Sequence, residues 1–199
     1  MSKDHLSQFI DAYLEGLRSQ QVLEESLELL RRKVKVISIK SKDMLIIPGE
    51  VCRHIYLVVQ GGFVCRYIHE KTGAAKTINF YLEDLHPIMA CLDSYFTQVP
   101  TNCELKAISN SLVLALPKET VDLIRGTDSA FAAFYHEVVM TAMMEENELK
   151  TKLIAYSSKE KYDFIIERMP SVSRKVPSKY IAEFCGVSAE WLSKLKKQV

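Results

Sequence analysis

The chain has 199 residues, 48% of them hydrophobic, enough to build one large domain or a core domain with a small appendage. No apolar run approaches the ~18 to 20 residues of a membrane span, and the start Met1-Ser2-Lys3-Asp4-His5 lacks the basic and apolar stretches of a signal peptide. The expectation is therefore a cytoplasmic globular protein with no membrane partner. The net charge of +1 hides an asymmetry: residues 150–199 carry 11 Lys and Arg against 5 Asp and Glu, whereas residues 1–149 carry 15 against 20. A basic segment following an acidic body points to a polyanion partner for the tail, with a solvated basic surface as the alternative.

From Leu6 to about Leu30 the apolar residues Leu6, Phe9, Ile10, Tyr13, Leu14 and Leu17, then Leu23, Leu27 and Leu30, recur at helical spacing and predict two amphipathic helices. The period then changes. Segments 34–39, 44–47, 55–60, 63–68, 76–81, 104–108 and 111–116 are short, rich in β-branched and aromatic residues, and mostly separated by turn signals such as Pro48-Gly49 and Gly61-Gly62. Strands at that spacing predict a sandwich or barrel. Between Leu85 and Phe96 a short helix is expected to interrupt them. After Pro117 the chain reads helical, with Gly126 marking a break before a long helix from about Ser129 to Ile154. The first half of that helix is apolar almost all round, so it is expected to pack on the β-domain with one side and on a second helix with the other. Its copy in a dimer partner is the obvious second helix, with Phe131, Phe134, Tyr135, Val138, Val139 and Ala142 at the interface; an ordinary central core helix is the alternative.

Five cysteines (Cys52, Cys65, Cys91, Cys103 and Cys185) form no CxxC pair, which predicts buried reduced thiols rather than a disulfide framework or a metal site. The histidines (His5, His54, His69, His86 and His136) show no ligand-type pairing. No metal or cofactor is expected.

Residues 178–197, SKYIAEFCGVSAEWLSKLKK, read as two short helices across a tight turn. Pro177 or Ser178 starts the first helix, Gly186 supplies the permissive backbone of the turn, and Ser188 N-caps the second helix. Ile181, Val187, Leu192 and Leu195 close a small core, and Ala182 lets the helices approach. Ala189, Glu190, Ser193, Lys194 and Lys197 are then left on the outer face of the second helix, where a major groove could be read. Ser178, Lys179, Ser188 and Lys196 complete the candidate DNA-binding set, Lys179, Lys196 and Lys197 as phosphate contacts. Trp191, beside Leu192, is expected to pack.

At this point the sequence resembles the Crp/Fnr regulators. The helix-turn-helix segment 181–197, the segment MLIIPGEVCRHIYLVVQGGFVCRYI at 44–68 with its Pro-Gly-Glu turn and Gly-rich hairpin, and ELKAISNSLVLALPKE at 104–119 carry the likeness. It is closest to the short-tailed Bacteroidetes-type members. The resemblance implies an α+β fold: a cyclic-nucleotide-binding-type β-roll (a double-stranded jelly roll) with flanking helices over 1–127, a dimerisation helix over 128–156, and a helix-turn-helix domain over 157–199.

The sequence departs from the cyclic AMP-binding members, which hold ribose and phosphate with a Gly-Glu pair and an Arg-Ser or Arg-Thr pair. No glycine lies between Gly73 and Gly126 and no arginine between Arg66 and Arg125; the Arg-Ser slot holds Thr101 and Asn102, which remain the candidate ligand-pocket residues. Without a guanidinium fork or approachable glycine amides, cyclic AMP binding in the family manner is not expected. The roll is expected to hold another ligand or a filled core, with Phe80, Tyr81, Met89 and Tyr95 available to fill it. An iron–sulfur sensor lacks its N-terminal cysteines, and for haem only His86 and Cys91 offer themselves. In the second helix, the positions where activator-type members of that family commonly place arginine, glutamate and a second arginine fall on Ala189, Glu190 and Lys194, so the half-site should differ from that of those members.

The reading is a dimeric, sequence-specific DNA-binding transcription regulator and not an enzyme. Its expected partners are double-stranded DNA, a second copy of itself, an unknown small-molecule effector and RNA polymerase. The rival readings are a ligand-binding or protein-interaction module whose tail does not read DNA, and a cupin-type enzyme, for which the inward-facing histidine set is missing.

Overall fold

The computed structural model describes the backbone of residues 3–196 and the side chains of residues 5–194. In chain order it runs α1 (Lys3–Ser19), α2 (Glu24–Lys33), β1 (Lys35–Ile39), β2 (Met44–Ile46), β3 (His54–Gln60), β4 (Gly62–Ile68), β5 (Ala75–Leu82), β6 (Ile88–Met89), α3 (Leu92–Thr97), β7 (Cys103–Ala107) and β8 (Ser111–Pro117). Helices α4 (Lys118–Thr127), α5 (Ser129–Ala155), α6 (Ser158–Arg168), α7 (Pro170–Lys175), α8 (Ser178–Cys185) and α9 (Ala189–Lys196) follow.

The chain divides into two compact units, each built from two stretches of sequence. The first comprises residues 1–35 and 116–148, and the second residues 36–115 and 149–199. In the first unit, Leu14, Leu17, Val22, Leu27 and Leu30 of the α1–α2 hairpin close on Val121 and Ile124 of α4 and Phe131 of α5. The break before the long helix comes from Asp128 and not from Gly126, which lies inside α4. The Asp128 carboxylate accepts from the amides of Ala130 and Phe131, both at 3.0 Å, as an N-cap must, and from Leu23 at 2.9 Å across the unit.

In the second unit two four-stranded sheets, ordered β1–β8–β3–β6 and β2–β7–β4–β5, face each other as the expected roll. All seven expected strands form. The eighth, β6, was not foreseen: the expected helix over 85–96 is confined to Leu92–Thr97, and Ile88 and Met89 pair instead with Leu57 and Tyr56. A two-residue strand leaves too short a pattern to read. Gly61, at φ +86°, makes the β3–β4 turn, where a Cβ would approach the Asn110 carbonyl to 2.8 Å. Inside the roll, Tyr56, Phe63, Tyr81, Met89 and Tyr95 pack with Leu105 and Val113 into a filled core. Phe80 does not join it. Because side chains alternate along a strand, Phe80 points to the other side of the sheet with Val64 and Leu82, where it packs in a second core formed with the C-terminal helices.

Candidate nucleic-acid interface

Helices α6 to α9 form the module carrying the candidate DNA-binding residues. Ser157 and Glu160 start α6 with a reciprocal capping box, and Pro170 at the first position of α7 prevents a single continuous helix. Helix α8 ends at Gly186, whose φ of +73° lets its amide reach back to Ala182 and Glu183, and the Ser188 hydroxyl then accepts from the Trp191 amide at 3.1 Å to begin α9. Ile181 and Leu192 are fully buried, Ala182 nearly so and Val187 half-buried, as two helices crossing at a tight turn require. The turn chemistry read from the sequence is present.

On α9, Ala189, Glu190, Ser193 and Lys194 are all exposed, with Glu190 and Lys194 one turn apart; Ser178 and Lys179 are exposed at the start of α8. The Lys179 ammonium lies 4.6 Å over the Tyr180 ring, which holds the cation at the helix start. A hydrogen bond to its own backbone amide, then the Ser188 hydroxyl, hold the Glu190 carboxyl below its ordinary range, so it is an acceptor at neutral pH. The side chain of Lys196, like Leu195, and the whole of Lys197 lie outside the described residues. Trp191 corrects an expectation: Leu192 takes the inward position, and the neighbouring indole, about 100° further round the helix, is 37% exposed.

The module rests on the outer face of the β2–β7–β4–β5 sheet. Phe80 packs on Phe184 with ring centres 4.9 Å apart and planes tilted by 51°, beside Val64, Leu82, Val172 and Ile181. Antiparallel register places Glu104, Arg66 and Thr77 in one row across β7, β4 and β5. The Arg66 guanidinium donates to Glu104 at 2.7 Å within the roll and to both carboxylate oxygens of Glu183 on α8, at 3.1 and 3.2 Å. The Thr77 hydroxyl donates to the same Glu183 at 2.8 Å. Lys175 on α7 pairs with Glu83 and Asp84 at 2.9 and 3.2 Å, and Ser171 donates to Asp84 at 2.7 Å. That serine and then Lys175 hold the Asp84 carboxyl below its ordinary range. These bridging residues were not singled out from the sequence; Arg66 and Glu183 are 117 positions apart, beyond any local periodicity.

The candidate pocket residues part company. Thr101 is buried, its hydroxyl accepting from Cys103, and its backbone is tied both ways to the Pro48-Gly49-Glu50 turn, by Gly49 at 2.8 Å and Glu50 at 2.9 Å. Asn102 is exposed and donates to Glu70. All five cysteines are buried and free. Four of them, Cys52, Cys91, Cys65 and Cys103, meet in succession inside the roll, a convergence that spacing in sequence could not show. No group of residues suited to a metal ion occurs among the described residues.

In the first unit, Phe131 is buried and Phe134 and Tyr135 pack against the helical core, so these three are covered largely by the chain itself. Their neighbours on that side of α5 belong to α1, α2 and α4. Further along, Val138 and Val139 are half-buried, while Met140, Ala142, Met143 and Met144 are exposed.

The architecture is found in solved proteins. FixK2 of Bradyrhizobium japonicum superposes with a TM-score of 0.68 at 14% identity, over 83% of this chain and 83% of that one. A putative transcriptional regulator of the Crp/Fnr family from Eubacterium rectale gives 0.67 at 15% identity, over 89% and 83%. This chain has the Crp/Fnr fold. CLP of Xanthomonas campestris, described as a regulator responsive to c-di-GMP, gives 0.62 at 12% identity, over 87% and 90%. No family model and no curated protein sequence matches the chain. Among the described residues no helix is long and apolar enough to cross a membrane.

Proposed function

We propose that this protein is a sequence-specific transcription regulator of the Crp/Fnr type, acting as a homodimer in the cytoplasm on double-stranded DNA. The observation that carries the reading is α9: a capped helix whose outward face presents Glu190, Ser193 and Lys194, one turn from Glu190 to Lys194, on a fold shared with transcription regulators. Glu190 and Lys194 read base edges, Ala189 contributes an apolar contact, and Lys179, with Lys196 and Lys197, meets phosphates. The second half of α5, with Val138, Val139, Ala142 and the exposed methionines, lies against its copy in the partner. The regulator does not respond to cyclic AMP, because the roll interior is occupied by aromatic side chains and offers no arginine at Thr101 and Asn102. RNA polymerase is the further partner by which bound DNA would be read out.

Selection of bound sequences from a random DNA pool at stated salt tests the proposal. The wild type should return a two-fold symmetric consensus; Glu190→Ala and Lys194→Ala should each lose about 1 to 3 kcal/mol there and relax one position. Lys179→Ala should weaken all sequences alike and lower the salt slope by roughly 0.9. A pool returning no consensus, with retention lost at moderate salt, would favour the protein-interaction module instead.

A further inference from the structure

The face of β4, β5 and β7 that meets α8 is built for more than covering apolar surface. A sheet face needing only burial would be lined with Val64, Phe80 and Leu82; this one adds a row of Glu104, Arg66 and Thr77 whose donors converge on one helical carboxylate. The row is largely shielded, with the Arg66 side chain 18% exposed and that of Glu104 6%. Buried charge pairs contribute little net stability compared with apolar packing, but they tolerate only one geometry, because a displaced partner leaves a charge in a poorly solvated place. Glu183 thus specifies where α8 sits, and through the Gly186 turn where α9 sits. A second set, Lys175 with Glu83 and Asp84, is more exposed, at 36 to 44% of each side chain, and joins α7 to the other end of β5. Docked this way the module leaves Ala189, Glu190, Ser193 and Lys194 exposed, so docking is compatible with reading DNA.

We infer that Glu183, clasped by Arg66 and Thr77, and Lys175, clasped by Glu83 and Asp84, are positioning residues that hold the recognition helix in a fixed, DNA-competent relation to the β-roll. The alternation along the strands also gives the clasp a route inward. Cys65 and Cys103 face the roll interior while their immediate neighbours Arg66 and Glu104 face the helices. A change of packing within the roll that shifts β4 or β7 therefore reaches α8 through two adjacent residues. The inference rests on the DNA-binding reading above.

The test uses the sign of electrostatics. Glu183→Gln, and separately the roll-side pair Glu83→Gln with Asp84→Asn, each remove negative charge, which on charge alone would strengthen attraction to DNA. The clasp predicts the opposite: about tenfold weaker binding to the selected site, with an unchanged salt slope because no phosphate contact is lost. Amide exchange of residues 178–185 should rise in both variants while the roll core stays protected, and Glu183→Asp should recover part of the affinity. Affinity equal to or above wild type, or unaltered exchange in α8, would overturn the inference. Should wild type select no site, the DNA-binding reading fails first and the positioning of a recognition helix with it; wild-type binding shared by both variants defeats the clasp alone.

Discussion

Replacing Asp128 by alanine should destabilise the first unit well beyond an ordinary surface substitution. The carboxylate is 2% exposed. One oxygen accepts from Ala130 and Phe131 at the start of α5, and the other from the Leu23 amide at the start of α2. Losing an N-cap costs about 1 kcal/mol, and leaving the Leu23 amide without its charged acceptor costs roughly 2 kcal/mol more. The sum, about 3 kcal/mol, corresponds to a fall in melting temperature of roughly 6 to 12 °C for a chain of this size. Asp128→Asn should fall in between, because an amide retains an acceptor for α5 but turns an N–H donor toward Leu23. Burial pushes the Asp128 carboxyl up, but the amides of Phe131, Leu23 and Ala130 and the Ser26 hydroxyl outweigh it, and the net shift is below the ordinary 3.8. A depressed folded-state value means that the contribution is complete above that ordinary value and disappears as pH falls through the folded one. Thermal and urea unfolding of wild type and both variants, repeated from pH 7 down to about pH 3, would measure this. A difference under about 1 kcal/mol for Asp128→Ala at pH 7, or one that stays constant into acid, would refute the reasoning.

Ser188→Ala should cost about 1 kcal/mol, since it removes the cap of α9, and should weaken DNA binding by exposing that helix to fraying. Val138→Glu should convert a sedimenting dimer to monomer with little change in the melting of α1, α2 and α4, because Val138 lies beyond the buried Phe131 end of α5. Calorimetric titration with cyclic AMP should show no binding at micromolar concentration, and DNA affinity should be unaltered by it.

Most of the seven strands expected from the sequence were legible because they carry their own β-branched or aromatic residues between turn signals; segments 104–108 and 111–116 hold only Ile108 and Val113 of that kind and were marked by the Ser109-Asn110 turn between them. The α8–α9 hairpin was legible for the same local reason: Gly186 and Ser188 supply a φ and a cap that no distant contact need provide. The reading failed chiefly where the deciding partner is remote. At Gly126 the miss was local: an isolated glycine can sit within a helix, and the cap signal was Asp128, which accepts from Ala130 and Phe131 two and three residues on, with only its bond from Leu23 being remote. Residues 63–65 and 79–82 are buried on both faces, so the usual alternation is blurred and Phe80 could not be assigned a side. The clasp at Glu183 has no signature in either of the segments it joins.

The outer face of β4 and β5 has a consequence for how the protein is made. Val64, Phe80 and Leu82 leave the ribosome about one hundred residues before Phe184 and Ile181, which cover them. At synthesis speeds of about 5 to 20 residues per second that interval is roughly 5 to 20 s. Throughout it the nascent roll presents an apolar sheet face to its surroundings, long after its own interior could have closed. A chain truncated before α6 would make that interval permanent, so the isolated roll should be prone to aggregation even though its strands and inner core are complete.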